Sequence, residues 1–184
     1  MRDIAPAATK IMIIRHAEKP VGSDQGVQSD GATDPESLIV QGWQRAGALA
    51  CLFAPTHGPL QNADLAPPQF LYASEGKSQR PQQTVAPLAA KLGLQPTTLK
   101  HDQLSDLVES ALAQTGVVLI CWQHEDIPSI ANLLLGNQTT APQHWPGDRF
   151  DLVWIFDLDA ATGAYQFSQV PQLLLAGDLA TPIT

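Results

Sequence analysis

Uninterrupted apolar runs are the feature that most constrains the fold of this chain. The segments "IMII" at 11–14 and "VVLIC" at 117–121 lack the polar alternation of a half-exposed strand. Such runs are typical of strands buried on both faces of a parallel sheet. Two further short segments, "FLYAS" at 70–74 and "PTTL" at 96–99, predict additional strands.

Helical patterns separate these strands. They begin near residues 35, 80, 101 and 126, with Asp34 expected to cap the first helix ahead of Pro35. Asp102 is expected to cap the third helix, and Gly116 to stop it. At the end of the chain, "FDLVWIFDLD" and "AYQFSQV" predict a hairpin. The sequence therefore predicts a single α/β domain over 1–184, with a mainly parallel mixed sheet and an antiparallel edge.

Composition excludes several classes of function. The formal net charge is −8, whereas a nucleic-acid-binding domain needs a basic face. The apolar runs are far too short to span a membrane, and "MRDIAPAATK" lacks the apolar core of a secretory signal. We therefore expect a cytoplasmic protein with no nucleic-acid partner and no membrane association.

The two cysteines carry no sign of metal binding. Cys51 and Cys121 lie in apolar stretches and lack the spacing of metal ligands. We expect both to be buried free thiols rather than a disulfide.

Charged and imidazole side chains follow the predicted strands. His16 and His124 come directly after two of them, and Arg80 lies a short loop after a third. In open parallel sheets, ligands bind beyond the carboxyl ends of the strands. Arginine donors match phosphate oxygens, and a neutral imidazole can act as a nucleophile. This placement indicates a phosphate pocket in which His16 attacks phosphorus while Arg15, Arg80 and His124 hold the oxygens.

Four segments in this order resemble the histidine phosphatase superfamily, the phosphoglycerate mutase-like group. They are "RHAEK", "LIVQGWQRAGALA", "YASEGKSQRPQQTVAPLA" and "VVLICWQHEDIPSIANLLLG", and together they fall within residues 10–136. The resemblance implies a three-layer α/β/α fold and a transient phosphohistidine on His16. It also implies a phosphate pocket completed by Arg15, Arg80 and His124, with no metal and no cofactor.

The general acid is not fixed by the motifs. Glu125 directly follows His124, and one branch of the superfamily places its acid beside the second histidine. A second branch places a Glu after the third strand, where Asp106 falls in this chain. We rank Glu125 first, Asp106 second and Asp126 third.

Some residues in or beside these motifs differ from the family pattern or have more than one possible role. Gln123 stands where family members often have Gly, and the longer loop leaves open whether Ser74 or Ser78 approaches the site. Lys19 and Arg45 are candidates for the pocket rim, each weighed against an ordinary solvated charge. Glu18 is expected to form a local cap or salt bridge rather than to touch substrate.

The leading hypothesis is a metal-independent phosphatase that acts on a phosphorylated small molecule or a phosphoprotein. The alternatives are a phosphomutase of the same fold and a non-catalytic phosphate-binding or regulatory member. A metal hydrolase using His16 and His124 is disfavoured, because arginines beside a cation site are electrostatically unfavourable.

Overall fold

A computed structural model describes residues 7–184, so the prediction drawn from the first ten residues lies largely outside the described part. Strands and helices alternate and a hairpin closes the chain, as the sequence predicts. In chain order the elements are β1 (Ala8–Arg15), α1 (Val40–Phe53), β2 (Phe70–Glu75), α2 (Arg80–Leu92), β3 (Thr97–Lys100), α3 (Leu104–Leu112), β4 (Gly116–Trp122), α4 (Ile127–Leu135), β5 (Leu152–Asp159) and β6 (Ala164–Pro171).

The strands form one six-stranded sheet in the order β3-β2-β4-β1-β5-β6. β1, β2, β3 and β4 pair in parallel, whereas β5 pairs antiparallel with both β1 and β6. The fold is therefore α/β, with a mainly parallel mixed sheet and an antiparallel edge, as expected. The carboxyl ends of β1 and β4 lie side by side, because Arg15 pairs with Trp122 in the parallel register.

Helices cover both faces of the sheet, giving three layers. Because side chains alternate along a strand, Ile11 and Ile13 of β1 pack with α3 and α4, whereas Met12 and Ile14 pack with α1 and α2. All four β1 residues are almost fully buried. This two-sided burial explains why the strand reads as a continuous apolar run.

The first helix begins later than predicted. α1 starts at Val40 rather than near Pro35, and Asp34 instead stabilises a turn by accepting hydrogen bonds from the Glu36 backbone N–H (3.0 Å) and the Ser37 hydroxyl (2.7 Å). The backbone N–H of Leu38 donates to the Gln83 side chain at 2.8 Å. These contacts take up groups that a helix would need, so residues 34–39 form a turn packed against α2.

Three further expectations are corrected. Gln103, not Asp102, precedes α3, and Gly116 opens β4 with φ 119° instead of stopping the helix directly. Cys121 is buried as expected, but Cys51 is exposed, because it faces outward from α1; both thiols are free.

Within residues 7–184, none of the helices is long and apolar enough to cross a membrane. The cytoplasmic location stays a prediction.

Candidate active site

His16 lies at the centre of the candidate site, just beyond β1. Its backbone N–H donates to the Trp122 carbonyl at 3.0 Å, which ties it to the end of β4. Its ring Nδ1 lies 2.7 Å from the Ala17 carbonyl oxygen. A carbonyl only accepts, so Nδ1 carries the hydrogen and Nε2 keeps its lone pair. Burial, followed by the charges of Arg15, Arg80 and Lys19, lowers the pKa of His16 to about 3, although the Ala17 contact opposes the shift.

The Arg15 guanidinium is buried beside His16, with two of its nitrogens unpartnered. Its Nη1 donates to the carbonyl oxygens of Gly147 (2.8 Å) and Arg149 (3.0 Å), with that of Pro146 at 3.4 Å. Its Nε and Nη2 have no hydrogen-bond partner among the residues of the described chain. Burial lowers the pKa of Arg15 to about 10, so the group remains a cation at neutral pH.

Arg80 reaches the site from the first residue of α2. Thr84 links the two parts of the site, since its hydroxyl oxygen accepts from the Ala17 backbone N–H at 2.8 Å and donates to the Arg80 carbonyl at 2.7 Å. The Arg80 guanidinium donates to the Pro35 carbonyl at 2.7 Å and to the Ser78 hydroxyl at 3.2 Å. Ser78 is therefore the loop serine that contacts Arg80, whereas the buried hydroxyl of Ser74 bonds to no described residue.

His124 and Glu125 follow β4 and form a close pair. His124 Nδ1 lies 2.8 Å from Glu125 Oε2, within ion-pair range, although the two atoms are not aligned as a hydrogen bond. Burial lowers the pKa of His124, and the charge of Arg15 lowers it further. The Glu125 side chain is 65% exposed, so its second oxygen is open to a ligand at the mouth of the site.

The other two candidate acids contact residues away from the histidine pair. Asp106 is exposed and accepts a hydrogen bond from Gln103 at 3.0 Å. Asp126 lies 3.7 Å from His101, whose side chain is 61% exposed. The geometry thus favours Glu125 over both.

Glu18 and Arg45 belong to a buried ion network. The Arg45 guanidinium donates to Glu18 Oε1 at 2.8 Å and to Asp178 Oδ1 at 2.7 Å, and its side chain is only 3% exposed. Arg45 therefore does not lie at a solvated rim, which corrects that expectation. Glu18 forms the local salt bridge that the sequence suggests. Lys19 remains partly exposed and close enough to both imidazoles to lower their pKa values.

The segment 146–150, whose role was not predicted from the sequence, covers this end of the sheet. Three of its carbonyls bind Arg15, and the Phe150 ring lies 3.8 Å below the guanidinium carbon. A Cβ on Gly147 would lie 3.6 Å from His124 Nε2. One signal was available: the segment directly precedes β5, whose first residues lie at the carboxyl edge of β1 because the two strands are antiparallel.

The arrangement suits an oxyanion more than a metal ion. Across residues 7–184, no three His, Cys, Asp or Glu side chains are grouped as metal ligands. Arg15, Arg80 and Lys19 lie close enough to lower the pKa of the His16 imidazole, whose Nε2 makes no hydrogen bond to a described residue. Such a site can hold phosphate-like oxygens and attack the atom that bears them.

Solved structures that align over most of the chain include several phosphatases. The protein histidine phosphatase SixA, complexed with tungstate, aligns with TM-score 0.55 and 14% identity, covering 89% of this chain and 97% of that chain. Alpha-ribazole phosphatase from Shigella flexneri aligns with TM-score 0.53 and 15% identity, covering 86% of this chain and 94% of that chain. Mycobacterial glucosyl-3-phosphoglycerate phosphatase in complex with VO3 aligns with TM-score 0.51 and 14% identity, covering 88% of this chain and 97% of that chain.

The chain has the histidine phosphatase fold. This confirms the resemblance stated from the sequence motifs at the level of architecture. No protein-family model and no curated protein matches the chain. At these identities the alignments concern the fold, and the chemistry of the site rests on the residues described above.

Proposed function

We propose that the protein is a metal-independent phosphatase that hydrolyses phosphomonoesters through a phosphohistidine on His16. The observation that carries the proposal is the state of the His16 ring. The contact of Nδ1 with the Ala17 carbonyl leaves the Nε2 lone pair free, and the pKa of about 3 keeps the ring neutral at physiological pH. A neutral imidazole with a fixed tautomer is ready to attack phosphorus without a separate base.

Two arginines and a histidine are proposed to hold the phosphoryl oxygens. The unpartnered Nε and Nη2 of Arg15 form one edge of its guanidinium, which matches two oxygens of a phosphoryl group. Arg80 and His124 are proposed to bind the remaining oxygens. Positive charge around these oxygens stabilises the transferring group, which is the main catalytic requirement of phosphoryl transfer.

Glu125 is proposed to protonate the leaving group. In the first step, the His16 Nε2–P bond forms and the bond to the leaving oxygen breaks while Glu125 supplies the proton. In the second step, water attacks the phosphorus, the His16 Nε2–P bond breaks, Glu125 takes a proton from that water, and orthophosphate leaves. The exposed position of Glu125 beside His124 gives it access to both the leaving group and water.

The oxyanions in the neighbouring structures support this choice. Tungstate and VO3 resemble a phosphoryl group in charge and shape, and they are bound in two phosphatases of the same fold. The named activities of these neighbours cover a protein and small phosphoesters. The proposal therefore extends to phosphomonoesters as a class, from a phosphorylated small molecule to a phosphoprotein.

Hydrolysis of a chromogenic aryl phosphate in excess chelator tests the proposal. Wild type should turn over, and His16→Ala should lose activity together with acid-labile phosphate incorporation. His57→Ala, which changes an exposed histidine remote from the motifs, is the matched control and should match wild type. Intact turnover by His16→Ala would overturn the nucleophile, and loss of turnover in chelator would overturn the metal-independent mechanism. Tungstate binding without turnover of any phosphoester would instead indicate a binding-only member.

A further inference from the structure

The segment 146–150 holds the catalytic-site guanidinium of Arg15 without neutralising it. We infer that Phe150 is a positioning residue for oxyanion binding, an inference that rests on the proposed function. Its ring supports Arg15 so that the free edge of the guanidinium faces the phosphoryl group. Phe150 lies two residues before β5, at the start of the segment "FDLVWIFDLD", and outside the four segments that resemble the superfamily. It contacts Arg15 at 3.8 Å, and its ring centroid lies 6.1 Å from that of His16.

The hydrogen bonds of Arg15 divide its donors into two sets. Nη1 has two hydrogens, and the carbonyls of Gly147 and Arg149 occupy both, with Pro146 sharing one. Nε and Nη2 remain free and point away from those carbonyls, because they lie on another edge of the planar group. The carbonyls fix the guanidinium in its plane, and the Phe150 ring below that plane prevents it from tilting.

A second buried arginine shows the difference that this support makes. Arg45 is paired with the carboxylates of Glu18 and Asp178, so its charge is offset. Arg15 forms no ion pair within residues 7–184, and Glu125, Glu18 and Asp148 act on it only at longer range. Carbonyl dipoles and an aromatic face stabilise a cation without removing its formal charge. Arg15 thus keeps its positive charge available for an anion.

The segment is itself firmly anchored. The Trp145 indole N–H donates to the Arg149 carbonyl at 2.8 Å, and the Trp145 ring packs on Trp154 with centroids 5.0 Å apart. The Arg149 side chain pairs with Asp151 at 2.7 Å. Phe150 is therefore held between two anchored residues, and its ring can restrict Arg15 rather than follow it.

Tungstate titration at pH 7.5 tests the inference. Phe150→Leu removes the aromatic face and should weaken tungstate binding by about three- to thirtyfold, the range expected for a partly buried cation–π contact. Phe150→Tyr keeps the face and should bind within about twofold of wild type. Phe167→Leu is the matched control, because Phe167 is also half-buried and packs on aromatic rings but lies on β6. Phe150→Met, which also lacks a π face but has a flexible side chain that can fill the gap, replaces Phe150→Leu if that variant is unstable to heating.

A double-mutant cycle separates positioning from general packing. In an Arg15→Gln background, Phe150→Leu should change tungstate affinity less than twofold, because its effect passes through the guanidinium. Unchanged affinity in the single variant, or a full loss that persists in the Arg15→Gln background, would overturn the inference. Wild type that binds tungstate but hydrolyses no phosphoester would refute the proposed function while leaving this test intact. Wild type that binds no tungstate would refute both.

Discussion

The buried His16 imidazole makes the stability of the fold depend on pH in a defined window. Its pKa is about 3 in the folded protein, against about 6.5 in an unfolded chain. Between these values the unfolded state binds a proton that the folded state rejects. Stability therefore falls as the pH is lowered from about 6.5 towards 3, and the His16 contribution is constant above that window.

The magnitude follows from the two pKa values. At pH 5 the pH lies about 1.5 units below the pKa of the unfolded imidazole. Protonation of the imidazole therefore favours the unfolded state by about 2 kcal/mol relative to pH 7.5. His16→Ala removes this titration from both states. The wild-type free energy of unfolding should therefore drop by about 2 kcal/mol more than that of the variant between pH 7.5 and pH 5.

Urea denaturation of both proteins at the two pH values measures this difference directly. The comparison within each protein cancels the cavity that alanine creates, because that cavity is present at both pH values. His57→Ala should retain the wild-type pH dependence and serves as the control. Equal pH dependence in wild type and His16→Ala would show that the folded imidazole titrates normally, and the neutral-nucleophile argument would then fail.

Three further variants test separate parts of the site. Arg80→Ala should weaken orthophosphate or vanadate binding by about 1–3 kcal/mol, and titration matching wild type would remove Arg80 from the pocket. Glu125→Gln should lower kcat/KM for alkyl phosphates by about 10²-fold, but much less for an aryl phosphate with a good leaving group. The control Asp148→Asn should leave kcat/KM unchanged on both esters. Equal losses on both esters in Glu125→Gln would refute Glu125 as the acid. Arg45→Met leaves two buried carboxylates unpaired and should cost about 3–5 kcal/mol in urea denaturation, and a near-neutral effect would contradict the ion network.

Element order and layer structure could be predicted because the signals are local. The β1 and β4 runs reveal burial on both faces, and Gly93 and Gly136 close their helices in the left-handed conformation, with φ 66° and 67°. The start of α1 could not be predicted in this way. The segment 34–39 is fixed by distant partners in α2, and a tertiary contact of this kind leaves no periodicity in the sequence.

The site was predictable to the extent that it lies on motifs. Arg15, His16 and His124 fall at neighbouring strand ends, and the parallel register brings those ends together. The roles assigned to them remain predictions that the experiments above address. Phe150 was not predicted as a site residue because it begins a predicted strand segment, and only the fold brings its ring against Arg15. Trp145 lies outside the predicted strands and helices but is 1% exposed, because its loop turns inward and packs on Trp154.

The pKa of His16 and the proposed oxyanion pocket have a shared electrostatic origin. Burial lowers this pKa most, and Arg15, Arg80 and Lys19 lower it further. In the proposed pocket those same cations would attract phosphate, so the free site would disfavour a proton on His16 and favour an anion beside it. A bound dianion offsets their charge, and the pKa of His16 should then rise towards its usual value. Under the proposed function, the imidazole would thus become more basic only once a phosphoester is bound, and the site would take up its anion without first losing the nucleophile to protonation.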